Sequence, residues 1–275
     1  MRIVKNVCGV LLVAALALIV LFPVVWTLMG SFKHLKDIVT TNPKFFFTPT
    51  LENYATIFSS SDIYKGVYNS LIIACTATLL GIVFGVPAAY VMSKYKTRRT
   101  PDVMFFVLSL RFMPPVAVAI PWISVWLNLG LFDTHFAMIV TYLVTSISTI
   151  AWMAVAAFER VPRQIEEAAF VDGCGHYEIF FRVSLPVAFK SLIGAVAYAF
   201  VVVWNELLIG LILTSSKATT LPVVAAAYTT MGKEVPWGVL NAATILLAVP
   251  PILVLGLIAQ FMNSLFKHKG GGVKG

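Results

Sequence analysis

Residues 166–186 read EEAAFVDGCGHYEIFFRVSLP and form a polar stretch between two long apolar runs. The first six residues of the stretch favour a helix, and Gly173 permits a turn that a residue with a Cβ resists. A second short helix is predicted over 176–182, and Pro186 is expected to end it before the next apolar run. The stretch therefore predicts two short helices joined by a turn, outside the apolar part of the molecule.

Six apolar runs account for most of the chain. Hydrophobic residues make up 59% of it and charged residues 12%, whereas a soluble domain has roughly 45–50% and 25%. A helix needs about 20 residues to cross about 30 Å of hydrocarbon. The runs that meet this length are about 7–29, 69–92, 103–127, 136–158, 192–214 and 238–266. We therefore predict an all-α membrane protein with six transmembrane helices in a single domain, residues 1–275.

Prolines interrupt two of the runs. Pro114, Pro115 and Pro121 lie in the third run, and Pro250 and Pro251 lie in the sixth. Prolines inside spans mark kinks, which serve either a solute path or ordinary helix bending. The first run has about 23 residues, whereas the apolar core of a signal peptide has about 7–15. We expect this run to be a retained first span.

The basic residues are distributed unevenly between the segments that join the runs. With the N-terminus inside the cell, the inner segments contain 13 of the 20 Lys and Arg residues, and the outer segments contain 6. Because basic residues are enriched on the cytoplasmic side, both termini are predicted to be inside. Membrane topology thus explains the net charge of +8, and nucleic acid is not an expected partner.

The spacing of residues within 159–190 resembles the EAA loop of binding-protein-dependent ABC importers. That pattern is Glu-Ala-Ala, three residues, Gly, nine residues, an aliphatic residue, one residue and Leu-Pro. Here it runs from Glu167 to Pro186, with Val183 as the aliphatic residue. Other segments that look like this family are Val161-Pro162, Asn69-Ser70-Leu71, Trp204-Asn205-Glu206 and Thr220-Leu221-Pro222-Val223. The resemblance covers essentially the whole chain. It implies the second permease subunit of a carbohydrate-type importer with the type I ABC importer permease fold, in a bacterial or archaeal plasma (inner) membrane.

The resemblance also implies partners. They are a sister permease subunit, two ATP-binding-cassette ATPase subunits and an extracytoplasmic solute-binding protein that delivers a sugar or polyol. The residues implied to couple this chain to the ATPase are Glu166, Glu167, Ala168, Ala169, Asp172, Gly173, His176, Leu185 and Pro186. The glycine-rich tail at 270–275 is implied to reach into the ATPase dimer.

The chain is not expected to be an enzyme. It contains no Gly-x-x-x-x-Gly-Lys-Ser/Thr sequence, the loop that cradles nucleotide phosphates. ATP and Mg are therefore expected on the ATPase subunits, and no cofactor is expected on this chain. The three cysteines lack the spacing of a metal or redox site, so no metal is expected either.

Polar residues within the apolar runs are candidates for the substrate path. A charge at the bilayer centre costs about 2.5–3.5 kcal/mol, so Glu206 is expected to face protein or water, or to be protonated. A solute path and a structural contact with Asn241 or Tyr198 both stay open. For Arg111, a solute contact, an interhelical pair and snorkelling stay open. The full set of candidates is Arg111, Tyr142, Ser146, Asn205, Glu206 and Asn241.

Other functions and another solute remain to be weighed. A self-sufficient secondary transporter predicts inverted repeats and interrupted half-helices, which are not evident in the sequence. A membrane enzyme needs His, Asp or Glu residues clustered near one interface, whereas here they are scattered. Glycerol 3-phosphate is an alternative solute on the same scaffold. A neutral sugar or polyol is favoured because Arg111 is the single basic residue placed inside a predicted span, so that it alone could pair with a phosphate there.

Overall fold

The computed structural model describes residues 2–229 and 235–267, and these are mostly helical. In chain order the helices are α1 (Arg2–Ser31), α2 (Leu35–Ile38), α3 (Glu52–Ser59), α4 (Ser61–Lys94), α5 (Thr100–Phe112), α6 (Pro115–Asn128), α7 (His135–Glu159), α8 (Arg163–Val171), α9 (His176–Glu178), α10 (Leu185–Trp204), α11 (Leu208–Leu213), α12 (Leu221–Ala227) and α13 (Trp237–Lys267). A π-helix, Ile179–Ser184, connects α9 to α10. No β-strand occurs within these two described ranges. The tail at 270–275 lies outside them.

Five helical segments are long and apolar enough to cross a membrane. They are Gly9–Ser31, Ser61–Lys94, His135–Glu159, His176–Trp204 and Trp237–Phe261. Helices α5 and α6 meet the same criterion only as a pair, with a bend of 87° between them. The all-α membrane fold is confirmed, with six spans if the bent pair counts as one.

The bend between α5 and α6 follows from the proline pair in the predicted third span. Met113 has an extended ψ of 130°, the conformation that a residue before proline prefers. Pro115 is the first residue of α6, where a missing N–H leaves no bond unmade. The run at 103–127 therefore forms two helices that meet at a sharp angle.

The predicted fifth span, 192–214, differs from the structure at both ends. One continuous helical segment runs from His176 to Trp204, so the prediction that Pro186 ends a short helix is wrong. The π-helix lies directly ahead of Pro186, and its altered hydrogen-bond register accommodates a ring that would clash in a regular α-helix. At the other end, the helix stops at Trp204, and α11 starts only at Leu208.

The described residues form two compact units. One comprises those within Met1–Tyr64 and Val224–Val249. In it, the Lys33 ammonium donates to the Lys44 carbonyl at 2.6 Å, and Asn53 of α3 donates to the Lys33 carbonyl at 2.9 Å. These bonds fix the segment that follows α1.

The second unit comprises the described residues within Lys65–Val223 and Pro250–Gly275. In it, α4 packs closely on α7 at Gly85. A Cβ added at this glycine would lie only 3.2 Å from the Ile147 carbonyl oxygen of α7. Small residues allow such close approach between membrane helices. This unit contains the 159–190 loop and five of the six candidate path residues, so the site is described within it.

Candidate coupling surface and substrate path

Helix α8 and the turn after it have the shape predicted from the sequence. The helix ends at Val171, and Gly173 adopts a left-handed conformation with φ of 89°. The Gly173 amide donates to the Phe170 carbonyl at 3.0 Å, a bond that satisfies an otherwise open carbonyl at the helix end. Gly173 is therefore required by the backbone here, because a residue with a Cβ is strained in this conformation.

Glu166 fastens α8 to the body of the second unit. Its carboxylate lies 3.0 Å from the Lys94 ammonium at the end of α4, and the two side chains are only 12% and 7% exposed. The Ser184 hydroxyl donates to the other carboxylate oxygen at 2.5 Å. Lys94 also donates to the Val161 carbonyl at 2.8 Å. Glu166 thus joins α8 to α4 and to the π-helix, and it faces inward.

The remaining surface of α8 is open. Within the described part of the chain, α8 buries none of its residues. Phe170 is 59% exposed and Val171 is 84% exposed. Glu167 is exposed and has no ion-pair partner among the described residues. Large apolar side chains exposed beside an unpaired carboxylate are typical of a surface that a protein partner covers.

The turn after α8 is braced by aromatic contacts. The His176 ring packs on Phe170 with 5.9 Å between ring centroids, and its Nδ1 lies 2.9 Å from the Tyr95 hydroxyl. These residues line a cavity of about 440 Å³, together with Tyr90, Lys94, Arg163, Glu166, Glu167, Val171 and Ile179.

The structure brings together most of the residues that were predicted to couple the chain to an ATPase. On α8 and its turn, Ala168, Asp172 and Gly173 are exposed, and Ala169 is half-buried. Leu185 packs against the hydrophobic core, whereas Pro186 is exposed on α10. Glu166 and Leu185 therefore contact the body of the second unit, whereas the exposed residues of the set are open to a partner.

Glu206 occupies the break between α10 and α11. Its carboxylate accepts hydrogen bonds from the backbone N–H groups of Leu208, Ile209 and Gly210, at 3.1, 2.9 and 3.4 Å. The Tyr142 hydroxyl of α7 donates to it at 3.1 Å. Glu206 therefore caps α11 and links it to α7. Of the two readings left open by the sequence, this geometry favours a structural contact, with Tyr142 as the partner.

The other polar candidates are in different surroundings. Ser146 is fully buried, and its hydroxyl has no hydrogen-bond partner among the described residues. Asn205 is exposed, and its amide donates to the Val201 carbonyl at 2.9 Å. Asn241 belongs to the other unit, where its side chain occupies the space that a Cβ at Gly30 would need. A side-chain hydrogen bond thus joins Tyr142 to Glu206, two of the six candidates.

Arg111 lies in the last turn of α5, against two aromatic rings. Its guanidinium carbon is 5.0 Å from the Trp152 ring centroid and 5.2 Å from that of Tyr198. One of its nitrogens donates to the Tyr198 hydroxyl at 3.0 Å. Sequence reasoning missed Trp152, because nothing in an apolar run marks which aromatic side chain meets a cation from another helix. The guanidinium packs on α7 and α10, so this side chain does not snorkel.

Comparison with known proteins identifies the family. Residues 81–269 match the family described as "Binding-protein-dependent transport system inner membrane component". The chain belongs to this family. It is 31% identical over 259 residues to the sulfoquinovosyl glycerol transport system permease protein SmoH of Agrobacterium fabrum, covering 93% of this chain and 89% of the relative. It is 26% identical over 266 residues to the trehalose/maltose transport system permease protein MalG of Thermococcus litoralis, covering 96% and 95%.

A solved structure shows that this inner membrane component shares the fold of known importers. The permease matches a chain in the crystal structure of a bacterial ABC transporter involved in the import of the acidic polysaccharide alginate. The TM-score is 0.72 with 19% sequence identity, over 94% of this chain and 96% of that chain. The type I importer fold is thereby confirmed. Family membership also makes the permease a transport component rather than an enzyme.

At the other end of its second unit, the permease has a site that sequence reasoning missed. Asp133, between α6 and α7, adopts a left-handed φ of 58°. Its carboxylate accepts hydrogen bonds at 2.9–3.0 Å from four consecutive backbone N–H groups, those of residues 215–218. Burial acts to raise the pKa of Asp133, but the four N–H donors together outweigh it, so the pKa lies below the ordinary value of 3.8. An aspartate in a short turn was the available signal.

The segment that Asp133 holds is also clamped from α4. The Asn69 amide donates to the carbonyls of Lys217 and Thr219, both at 2.9 Å, and the Leu221 amide donates to the Ser70 hydroxyl at 2.8 Å. Asn69 and Ser70 belong to the Asn-Ser-Leu segment that resembles the family. Their contacts show that this segment orders the connection between α11 and α12.

Proposed function

We propose that this permease and a sister permease form the translocation path for a sugar or polyol that an extracytoplasmic binding protein delivers. Two ATPase subunits drive the movement and bind the ATP and Mg, with no cofactor on this chain. The family is binding-protein-dependent by description. The two relatives named above are permeases for trehalose/maltose and for sulfoquinovosyl glycerol. Their solutes support a sugar or polyol over glycerol 3-phosphate.

One observation supports the coupling role above all others. Helix α8 exposes Phe170, Val171 and Glu167, yet it is fixed to α4 by the Lys94–Glu166 ion pair. A helix that only covered the protein would bury its apolar face against the protein. A helix that receives force from a partner needs an open outer face and a rigid inner connection. Helix α8 has both.

The proposed mechanism is alternating access. With both termini inside the cell, the 159–190 loop lies in the cytoplasm, where the ATPase subunits hold α8. When they close on ATP, α8 moves as a rigid body. Its displacement passes to α4 through Glu166, and to the continuous segment His176–Trp204 through Ser184. Tilting of these helices opens the path toward the binding protein, and ATP hydrolysis reverses the movement.

The test of this coupling is a charge reversal at Glu167 in the assembled importer. Breaking one partner of a charge pair at an interface costs about 2–5 kcal/mol. Glu167→Lys is therefore expected to reduce both co-purification of the ATPase subunits and uptake into proteoliposomes, by roughly tenfold or more. Glu52→Lys, a reversal at an exposed residue of α3, is the matched control for co-purification. Normal co-purification and uptake with Glu167→Lys would contradict the proposal.

A second experiment separates the importer from a self-sufficient secondary transporter. The permease pair is reconstituted without the ATPase subunits, and solute uptake is measured with and without an ion gradient. We expect no accumulation in either condition. Accumulation driven by the gradient alone would replace the proposed function with secondary transport.

A further inference from the structure

We propose that the transported solute is an acidic sugar, and that Arg111, Trp152 and Tyr198 form the part of its binding site that this permease supplies. The proposal rests on the importer function proposed above. It adds the class of solute and the residues that contact it.

The three residues lie in the membrane-spanning part of the second unit. Arg111 follows the start of α5 at Thr100 by eleven residues, which is about 16 Å along a helix and about half the hydrocarbon thickness. Trp152 and Tyr198 lie within α7 and α10, both of which belong to candidate spans. The cluster is therefore placed at a depth where a charged side chain is unfavourable unless water or an opposite charge surrounds it.

The charge of Arg111 is not neutralised within the described residues. No carboxylate among them lies within ion-pair distance of its guanidinium. The group has five N–H donors, and one of its hydrogen bonds goes to the Tyr198 hydroxyl. Contacts with two ring faces stabilise a cation only modestly. A charged guanidinium that lies within the membrane and has no carboxylate partner requires water around it. It also favours binding of an anion that enters this water-filled path.

The rings beside the guanidinium are accessible. Trp152 is 44% exposed and Tyr198 is 42% exposed, so neither is packed into the core. Arg111 is half-exposed as well. The surface of the second unit therefore presents a cation with an aromatic ring on either side. This face presents a charged group and is thus unsuited to lipid.

The chemistry of this cluster fits one type of solute. The apolar C–H face of a sugar ring stacks on aromatic side chains. A guanidinium binds a carboxylate, sulfonate or phosphate ester through two parallel hydrogen bonds. A solute that makes both contacts carries a sugar ring and one anionic group. A neutral sugar would leave the charge of Arg111 without a counterion during passage.

The experiment measures solute class and residue dependence in the assembled importer. Proteoliposomes that contain both permeases and the ATPase subunits, with the binding protein added, are tested with four labelled probes: glucuronate, 6-deoxy-6-sulfoglucose, glucose 6-phosphate and glucose. We expect uptake of at least one anionic probe and none of glucose. The three anionic probes distinguish a carboxylate, a sulfonate and a phosphate ester.

Variants then test the residues. Arg111→Gln is expected to lower uptake of the accepted probe by roughly tenfold or more, the loss typical of one charge-assisted hydrogen-bond pair, while Arg111→Lys retains part of it. Trp152→Leu is expected to raise KM more than Trp152→Phe does. Arg98→Gln, at an exposed arginine outside the spans, is the matched control.

The outcomes separate this inference from the importer function. Uptake of glucose alone, or equal uptake by Arg111→Gln and Arg98→Gln, overturns the acidic-sugar proposal and leaves the importer standing. Loss of the sister permease from purified Arg111→Gln complexes also overturns it, because the guanidinium would then be an interface ion pair. Absence of ATP-driven uptake of every probe, together with failure of the ATPase subunits to co-purify, counts against the importer function itself.

Discussion

Lys94, the last residue of α4, lies 3.0 Å from Glu166 of α8, and both side chains are largely buried. The same ammonium donates to the Val161 carbonyl in the segment between α7 and α8. One basic residue at the end of a candidate span therefore holds both the helix of the loop and the backbone that leads into it. Because α4 is a single helix from Ser61 to Lys94, this ion pair connects α8 directly to a helix long and apolar enough to span a membrane.

Charge exchange tests this connection. Removing one partner of a buried ion pair costs about 3–5 kcal/mol, because the other charge is left without compensation. Lys94→Glu and Glu166→Lys are each expected to lower the thermal midpoint of the purified permease complex and to abolish uptake. The double exchange should recover part of both losses. If the double exchange instead lowered the thermal midpoint by the sum of the two single losses, and uptake stayed absent, the two residues would not be coupled.

Gly173 offers a test of the turn with a control two residues away. Gly173 has φ of 89°, whereas Gly175 has φ of −72°, and a Cβ at either position would meet no atom within 4 Å. Gly173→Ala is therefore expected to destabilise the turn by about 1–2 kcal/mol through backbone strain alone, and Gly175→Ala should not. Hydrogen exchange of the α8 amides measures the difference. Equal protection in the two variants would contradict the argument.

The sequence predicted α8 and its turn well, because both depend on local residues. Glu166 to Val171 favours helix by itself, and Gly173 marks a position that needs a left-handed backbone. The partner of Glu166 was not predictable in the same way. Lys94 lies at the end of a different apolar run, and only the packing of α4 beside the loop brings the two together.

The sequence also misplaced the ends of two helices. The run at 192–214 is apolar throughout, yet α10 ends at Trp204, where Glu206 caps the next helix instead of continuing the first. Conversely, Pro186 was expected to end a helix that in fact continues through a π-helical turn. Both outcomes depend on hydrogen bonds that composition does not specify. Arg111 was a candidate from sequence, but Trp152 became one only when the structure placed its ring beside the guanidinium.

The Tyr142–Glu206 contact predicts a stability effect without a change in solute affinity. Tyr142→Phe removes one hydrogen bond to a carboxylate that three backbone N–H groups still satisfy. The expected loss is about 1.5–3 kcal/mol, seen as a lower thermal midpoint, with KM for uptake unchanged. Glu206→Ala should be worse, because it also removes the cap of α11. A large rise in KM for Tyr142→Phe at an unchanged thermal midpoint would instead place Tyr142 in the substrate path.

Asp133 makes the stability of the permease depend on pH in a predictable direction. Its pKa lies below 3.8 in the folded protein because four backbone N–H donors outweigh the effect of burial. A lowered pKa means that the stabilisation is fully present above the unfolded pKa and is lost as the pH falls through the folded value. Asp133→Asn should therefore lower the free energy of unfolding by about 1–3 kcal/mol through weakened hydrogen bonds, and the resulting drop in thermal midpoint should be constant between pH 5 and 8. The difference from the native protein should shrink below about pH 4. Asp172→Asn, at an exposed aspartate at the end of α8, is the matched control for the loss of a carboxylate. A difference for Asp133→Asn that grows as the solution is acidified would have the wrong sign and would refute the assignment of these four bonds to an ionised carboxylate.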